Sequence, residues 1–186
     1  MIIPPHNSKK SAQQFNNSHG FTLIELSIAM VLIAILSAIA IPSFSSWLPN
    51  LRFQDSTQNL QYDLQLAKMT AIKRNANVVM LINKVSCTDL PDSVPNAGGG
   101  YTLFIDDGNG TGTANDDLLS TGETILKTVI MPKNVALCDT DLTGDLIAFL
   151  PTGLPKDGNT GKITLNNDYS RQSEISVNIS GVITNQ

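Results

Sequence analysis

The chain has 186 residues, 41% hydrophobic and 15% charged, with twelve Lys and Arg against sixteen Asp and Glu, a formal balance of −4. That length suits one globular core plus an anchor, and the acid excess disfavours a broad nucleic-acid-binding face. Both histidines, His6 and His19, precede residue 21, so no imidazole is left downstream for acid–base catalysis or metal ligation.

Met1 to Gly20 is polar, carries Lys9 and Lys10, and lacks the apolar stretch of a secretory signal. Phe21 to Ile41 then runs apolar, interrupted by a single ionisable residue, Glu25. As a helix this run would reach about 31 Å at ~1.5 Å per residue, enough to cross a bilayer. Lys9 and Lys10 lie before it and the first cation after it is Arg52. The positive-inside bias therefore keeps Met1 cytoplasmic and sends the chain beyond Pro42 across the membrane, single-pass.

Glu25 has two readings. Thr22 and Glu25 have capping-box spacing, so Glu25 could simply close the first helical turn and complement its dipole. A carboxylate at membrane depth also costs about 2.5–3.5 kcal/mol at the bilayer centre and less near an interface, which a cationic partner would offset. A second processing route is written nearby. Ala38-Ile39-Ala40 has the small-x-small form of an ordinary signal-peptidase site, and cutting there would release a secreted soluble domain. The apolar run, longer than the roughly 7–15 residues of a signal core, and the charge of Glu25 argue against that route.

Pro42 and Pro49 each lack an amide hydrogen, so a continuing helix is expected to kink near both. Beyond them Phe53, Leu60, Leu64, Ala67 and Ala71 recur on one helical face, which predicts an amphipathic continuation over 42–75. Its single apolar stripe needs a partner, and a sheet is the natural one. Asn75-Ala76-Asn77 punctuates the change to β-branched runs. Strands are predicted at Val78–Ile82, Tyr101–Ile105, Thr124–Met131, Val135–Leu137, Ile147–Leu150, Lys162–Leu165, Glu174–Ile179 and Val182–Thr184. Turn-rich segments at Pro91–Gly100, Asp106–Asp117 and Pro151–Gly161 read as surface loops. The fold class is α+β: a long kinked N-terminal helix, membrane-spanning in its first half, packed on a C-terminal antiparallel sheet domain over 76–186.

Cys87 and Cys138 make an even pair in a domain expected to face an oxidising compartment, which suggests a disulfide; two buried free thiols are the alternative. A bridge closing that loop would stabilise by roughly 2–4 kcal/mol. The acidic stretch Asp106-Asp107-Gly108-Asn109-Gly110 alternates oxygen-bearing residues with glycine, a pattern hard cations favour. An EF-hand register started at Asp107 puts Leu118 where a bidentate glutamate belongs. The expectation is an Asx-turn loop without metal or cofactor. Asp106, Asp107 and Asn109, with Asp116, Asp117 or Glu123, are the residues that would hold calcium.

Gly20-Phe21-Thr22-Leu23-Ile24-Glu25, followed by the long apolar run, resembles the leader junction of type IV prepilins and of the pseudopilins of type II secretion. That resemblance implies cleavage between Gly20 and Phe21 by a prepilin peptidase, which removes 1–20 as a leader, and N-methylation of Phe21. It also implies retention of 21–41 as a transmembrane assembly helix. Glu25 would meet the free amine at Phe21 of a neighbouring subunit and set axial register. Loss of Lys9 and Lys10 leaves ten cations against sixteen acids, or −6.

The C-terminal half narrows the resemblance. A long helix followed by a strand, the Asp-Gly-Asn-Gly loop, a Gly-Glu before a strand, Ile147-Ala148-Phe149 leading to Pro151-Thr152-Gly153, and Ile175-Ser176-Val177 leading to Ser180-Gly181 resemble the FimT/GspH family of minor pilins and pseudopilins. The implied function is a structural subunit, not an enzyme, in a type IV pilus or type II secretion pseudopilus. The implied partners are other pilin or pseudopilin subunits, the prepilin peptidase and the inner membrane. Calcium at sheet loops, as in some pseudopilins, would also be in keeping. Members proposed to bind DNA for uptake carry arginines just after the final Ser-Gly. This chain has Val182, Ile183 and Thr184 there, so few phosphate contacts are expected.

Overall fold

The computed structural model describes residues 20–86, 98–158, 160–167 and 171–185, apart from the side chains of residues 42, 43, 45, 46 and 158. The fold comprises one long helix, α1 (Leu23–Arg74), and strands β1 (Asn77–Asn83), β2 (Gly100–Asp106), β3 (Thr124–Ile130), β4 (Val135–Thr140), β5 (Leu146–Phe149), β6 (Gly161–Asn167), β7 (Gln172–Val177) and β8 (Ile183–Asn185). Its contacts divide the chain into two units, Met1–Pro42 and Ser43–Gln186.

In the first unit, Leu23–Ile41 is a helical span of nineteen residues, none of them buried. A regular α-helix bonds its mid-span backbone groups internally, the condition an element must meet to cross hydrocarbon. Two hydroxyls follow the same rule: Ser27 donates to the Ile24 carbonyl and Ser37 to the Ile33 carbonyl, both at 2.7 Å. The helical assignment continues through Pro42 and Pro49 without interruption, so the missing proline amides, whatever bend they impose, do not end α1.

In the second unit, Phe53, Leu60, Leu64, Ala67 and Ala71 are all buried. Their spacing places them on one side of the helix, and that side is the one packed on strands. The helix stops where Asn75 takes a positive φ of 53° and the Ala76 amide returns to the Ala71 carbonyl at 3.4 Å. That is a left-handed C-cap, and asparagine tolerates it better than other side chains do.

The strands form two four-stranded sheets, ordered β3-β2-β1-β5 and β4-β6-β7-β8, with every pairing antiparallel. The sequence predicts a single sheet, and the difference has a local origin. After β3 the chain turns through Pro132–Asn134, where Asn134 has a φ of 71°, and β4 pairs with β6 rather than returning to β2. The tri-glycine segment bridges the sheets. The Gly99 carbonyl accepts the Met131 amide at 2.9 Å and the Gly98 carbonyl accepts the Leu137 amide at 2.8 Å. A Cβ at Gly98 would collide with the Val135 carbonyl.

Register follows the period of two. Val78, Met80 and Ile82 lie opposite Ile105, Leu103 and Tyr101. These residues, with Ile147 and Phe149 of β5, join the helix stripe in one cluster that also takes Val135, Leu137, Ile163, Leu165, Ile175 and Val177 from the second sheet. Fully burying each such aliphatic side chain contributes about 1.5–3 kcal/mol. The alternate residues Val79, Phe104 and Ala148 make a smaller cluster on the other face of the first sheet. β7 ends at Val177, two residues short of the expected strand, because Asn178 Oδ1 accepts the amides of Ser180 and Val182 at 3.0 and 2.9 Å and turns the chain.

Candidate assembly site

Gly20 has no atom outside its own chain neighbours within 4 Å of where a Cβ would stand, and Phe21 is 89% exposed. Among the described residues, nothing covers the junction between them. Helix α1 starts just beyond. The Leu26 amide donates to the Thr22 carbonyl at 3.1 Å, and the Glu25 amide donates to Thr22 Oγ1 at 3.2 Å. Glu25 Oε2 lies 3.5 Å from both the Thr22 amide and the Thr22 hydroxyl. This is a reciprocal capping box with long, weak return contacts. Glu25 therefore has spare acceptor capacity beside a helix N-terminus, four residues from Phe21, in a span with no other Asp, Glu, Lys, Arg or His.

The acidic loop is organised from below. Asp106 is buried, and its two oxygens accept the amides of Asn115 and Asp117 at 2.7 and 2.9 Å. Asp107 makes the expected Asx-turn, accepting the Asn109 amide at 3.1 Å and its side-chain NH2 at 2.6 Å. Asp117 binds Lys156 at 2.7 Å, and Glu123 accepts the Ser120 amide at 2.8 Å. Of the six residues named for calcium, Asp106 thus has both oxygens committed to backbone amides. Among the described residues no group of three or more His, Cys, Asp or Glu side chains could hold a metal ion.

Cys138 is disulfide-bonded. Cys87, the other cysteine of the sequence, lies outside the described residues. Near the C-terminus, Val182 is exposed and apolar, and Arg171, just before β7, is an exposed cation, so among the described residues no basic cluster marks this region.

Two polar arrangements have no local sequence signal. On α1, Asp63 is only 4% exposed. It accepts a hydrogen bond from the Tyr101 hydroxyl at 2.7 Å and pairs with Lys127 at 2.7 Å, joining the helix to β2 and β3. Burial first, then the hydrogen bond to Asp63, pushes the Tyr101 phenol above its ordinary value of 10.0. The second arrangement is Lys68, whose Nζ donates to the Gly181 carbonyl at 2.8 Å. Both partners are far from it in sequence, so periodicity could place Asp63 and Lys68 on the helix but could not name what they bind.

Residues 56–181 match the family described as Type II transport protein GspH. The chain belongs to the GspH family. Residues 15–41, which contain Gly20, Phe21 and Glu25, match the prokaryotic N-terminal methylation motif. A GspH-family chain carrying that motif is a pilin-like subunit, a minor pilin or pseudopilin that assembles with others of its kind. No curated protein matches the chain. Among solved structures, this GspH-family chain is similar to the type IV minor pilin FimU of Pseudomonas aeruginosa, at 13% identity over 72% of this chain and 91% of that one, with a TM-score of 0.47. A second crystal form of FimU gives 12% identity, 74% and 90% coverage and a TM-score of 0.49. The minor pseudopilin EpsH of the Type 2 Secretion System of Vibrio cholerae gives 12% identity, 73% and 96% coverage and a TM-score of 0.47.

Proposed function

We propose that the chain is a minor structural subunit of a type IV pilus or type II secretion pseudopilus, anchored in the inner membrane by Phe21–Ile41 until it is drawn into the filament. The reading rests on one observation above all: a lone carboxylate, Glu25, sits five positions into the apolar run behind an exposed Gly20-Phe21 junction. Cleavage there by a prepilin peptidase leaves a new amine at Phe21, which is then N-methylated. That cation on one subunit neutralises Glu25 on the next, and removing the desolvation cost of both charges sets their stagger. Residues 1–20 stay on the cytoplasmic side, and the strands face the periplasm. The subunit contributes shape and contacts, and performs no reaction.

The test is N-terminal sequencing of the mature protein together with the Glu25→Leu variant. The expected start is a methylated Phe21, and Glu25→Leu is expected to stay in the membrane fraction and be lost from sheared filaments. A mature start at Ile41 would replace this reading with a secreted soluble domain. Normal incorporation of Glu25→Leu would remove the role given to the carboxylate.

A further inference from the structure

Asn109-Gly110, in the acidic loop, is the one place in the sequence where glycine follows asparagine. Every other asparagine precedes a residue whose Cβ crowds its own backbone nitrogen. Both residues of the step are exposed. An asparagine carries an electrophilic amide carbon, Cγ, and the nitrogen able to add to it through a five-membered ring is the backbone amide of the next residue, here Gly110.

That nitrogen is open. Among the described residues the Gly110 amide donates to no acceptor. The amides on either side of it are held, that of Asn109 by Asp107 Oδ1 at 3.1 Å and that of Thr111 by the Thr121 carbonyl at 3.0 Å. Across the loop stands Gly122, with a φ of 105°. A Cβ there would lie 2.7 Å from the Gly110 Cα and 3.2 Å from the Gly110 nitrogen, so glycine at 122 keeps a side chain from shielding it. The carboxamide is held as well: Asn109 Nδ2 donates to Asp107 Oδ2 at 2.6 Å, within the same Asx-turn.

We propose that Asn109-Gly110 is a site of spontaneous deamidation, and that its product loosens the acidic loop irreversibly. The Gly110 nitrogen gives its proton to solvent base and adds to Asn109 Cγ. The new C–N bond forms as the Cγ–Nδ2 bond breaks, and Nδ2 takes up a proton and leaves as ammonia. The resulting succinimide is opened by water. Attack at Cγ leaves aspartate at position 109 on a normal backbone. Attack at the main-chain carbonyl leaves isoaspartate, with the chain rerouted through the side chain. Water enters and ammonia departs, so nothing is oxidised or reduced.

Both products act on the loop. Either one replaces the Nδ2 donor by a second carboxylate facing Asp107, so a hydrogen bond becomes a like-charge contact. Isoaspartate also lengthens the main chain by a methylene, and there is no room for it: a single Cβ on Gly110, whose φ is 84°, would already collide with the Thr121 carbonyl. That carbonyl accepts the Thr111 amide, so the contact between the two sides of the loop is the one displaced. The chemistry needs only an exposed loop and is independent of the assembly role.

The test incubates the full-length chain in detergent micelles at mildly acidic and mildly alkaline pH, beside the same chain unfolded in urea and the folded variant Asn109→Gln, whose longer side chain closes the ring poorly. Peptide mass spectrometry follows the mass difference between water and ammonia, and isoaspartyl methyltransferase labelling detects isoaspartate. The expected result is a gain confined to the peptide containing Asn109, faster at alkaline pH, with isoaspartate at position 109 and no gain in Asn109→Gln. In the converted chain the Thr111 amide should exchange hydrogen roughly five-fold faster or more, as when one hydrogen bond is lost. A folded chain that stays unchanged while the unfolded one converts, or a gain at another asparagine, would overturn the site. Conversion with Thr111 exchange unaltered would overturn the loosening of the loop.

Discussion

The Tyr101 hydroxyl reaches across from β2 to donate to Asp63 on α1 at 2.7 Å, and Lys127 of β3 meets the same carboxylate at 2.7 Å. One buried charge on the helix is therefore neutralised and solvated by two strands, so helix and sheet are held in a defined register at that level. A buried carboxylate keeps its charge cheaply only while such partners remain.

Removing the cation tests this. Lys127→Met is expected to destabilise by about 1–3 kcal/mol, toward the lower end because the Lys127 side chain is 42% exposed and partly screened by water. A urea midpoint measured at unchanged slope would show it. A midpoint equal to wild type would mean that Tyr101 alone satisfies Asp63.

Alkaline pH gives a second test. Tyr101 has its pKa raised in the folded state, chiefly by burial and then by the bond to Asp63. The stability linked to its neutral form is therefore fully present below the unfolded value of 10.0 and declines as pH climbs above it, because the unfolded phenol ionises first. Tyr101→Phe should be less stable than wild type at pH 7 through loss of the hydrogen bond, and should lose stability less steeply above pH 10. Parallel pH profiles for the two proteins would show that Tyr101 ionises as freely folded as unfolded.

Cys138 is bridged, so Cys138→Ser is expected to cost about 2–4 kcal/mol. If Cys87 is its partner, Cys87→Ser should cost the same and the double variant no more than either. Chemical denaturation of the oxidised proteins measures this. Unequal losses would point to a bridge with another chain.

The acidic loop is expected to hold its form without metal, since both Asp106 oxygens are already bound by amides. Millimolar calcium should move the melting temperature by less than about 1 °C relative to chelator, the small change expected when nothing binds the native state selectively. A rise of several degrees would show that a cation site forms from the remaining loop oxygens.

The helix and strands were largely legible in the sequence because their signals are local. The stripe Phe53, Leu60, Leu64, Ala67, Ala71 repeats with the helical period, and runs such as Val78–Ile82 and Tyr101–Ile105 are β-branched, aromatic and short. What periodicity could not supply was pairing. Nothing near β4 says that it leaves β2 and β3 to pair with β6, since the choice depends on a turn at Asn134 and on Gly98 and Gly99 passing between the sheets. Asp63 reads as an ordinary polar residue between apolar ones, because Tyr101 and Lys127 come from distant strands. Asp106 similarly looks like one more loop acid, although its burial makes it the brace of that loop. Glu25 was the opposite case: an acid inside an apolar run is visible from composition alone.

The brace at Asp106 also bears on how this protein could diversify. Because one side chain clasps Asn115 and Asp117 back against the end of β2, the stretch between them is closed at its base like a drawstring. Its exposed residues Thr113 and Ala114 are accordingly where a foreign peptide could be grafted without disturbing the strands beneath, whereas Thr111, whose amide donates to the Thr121 carbonyl at 3.0 Å, and Gly112, set against Ser120, are not.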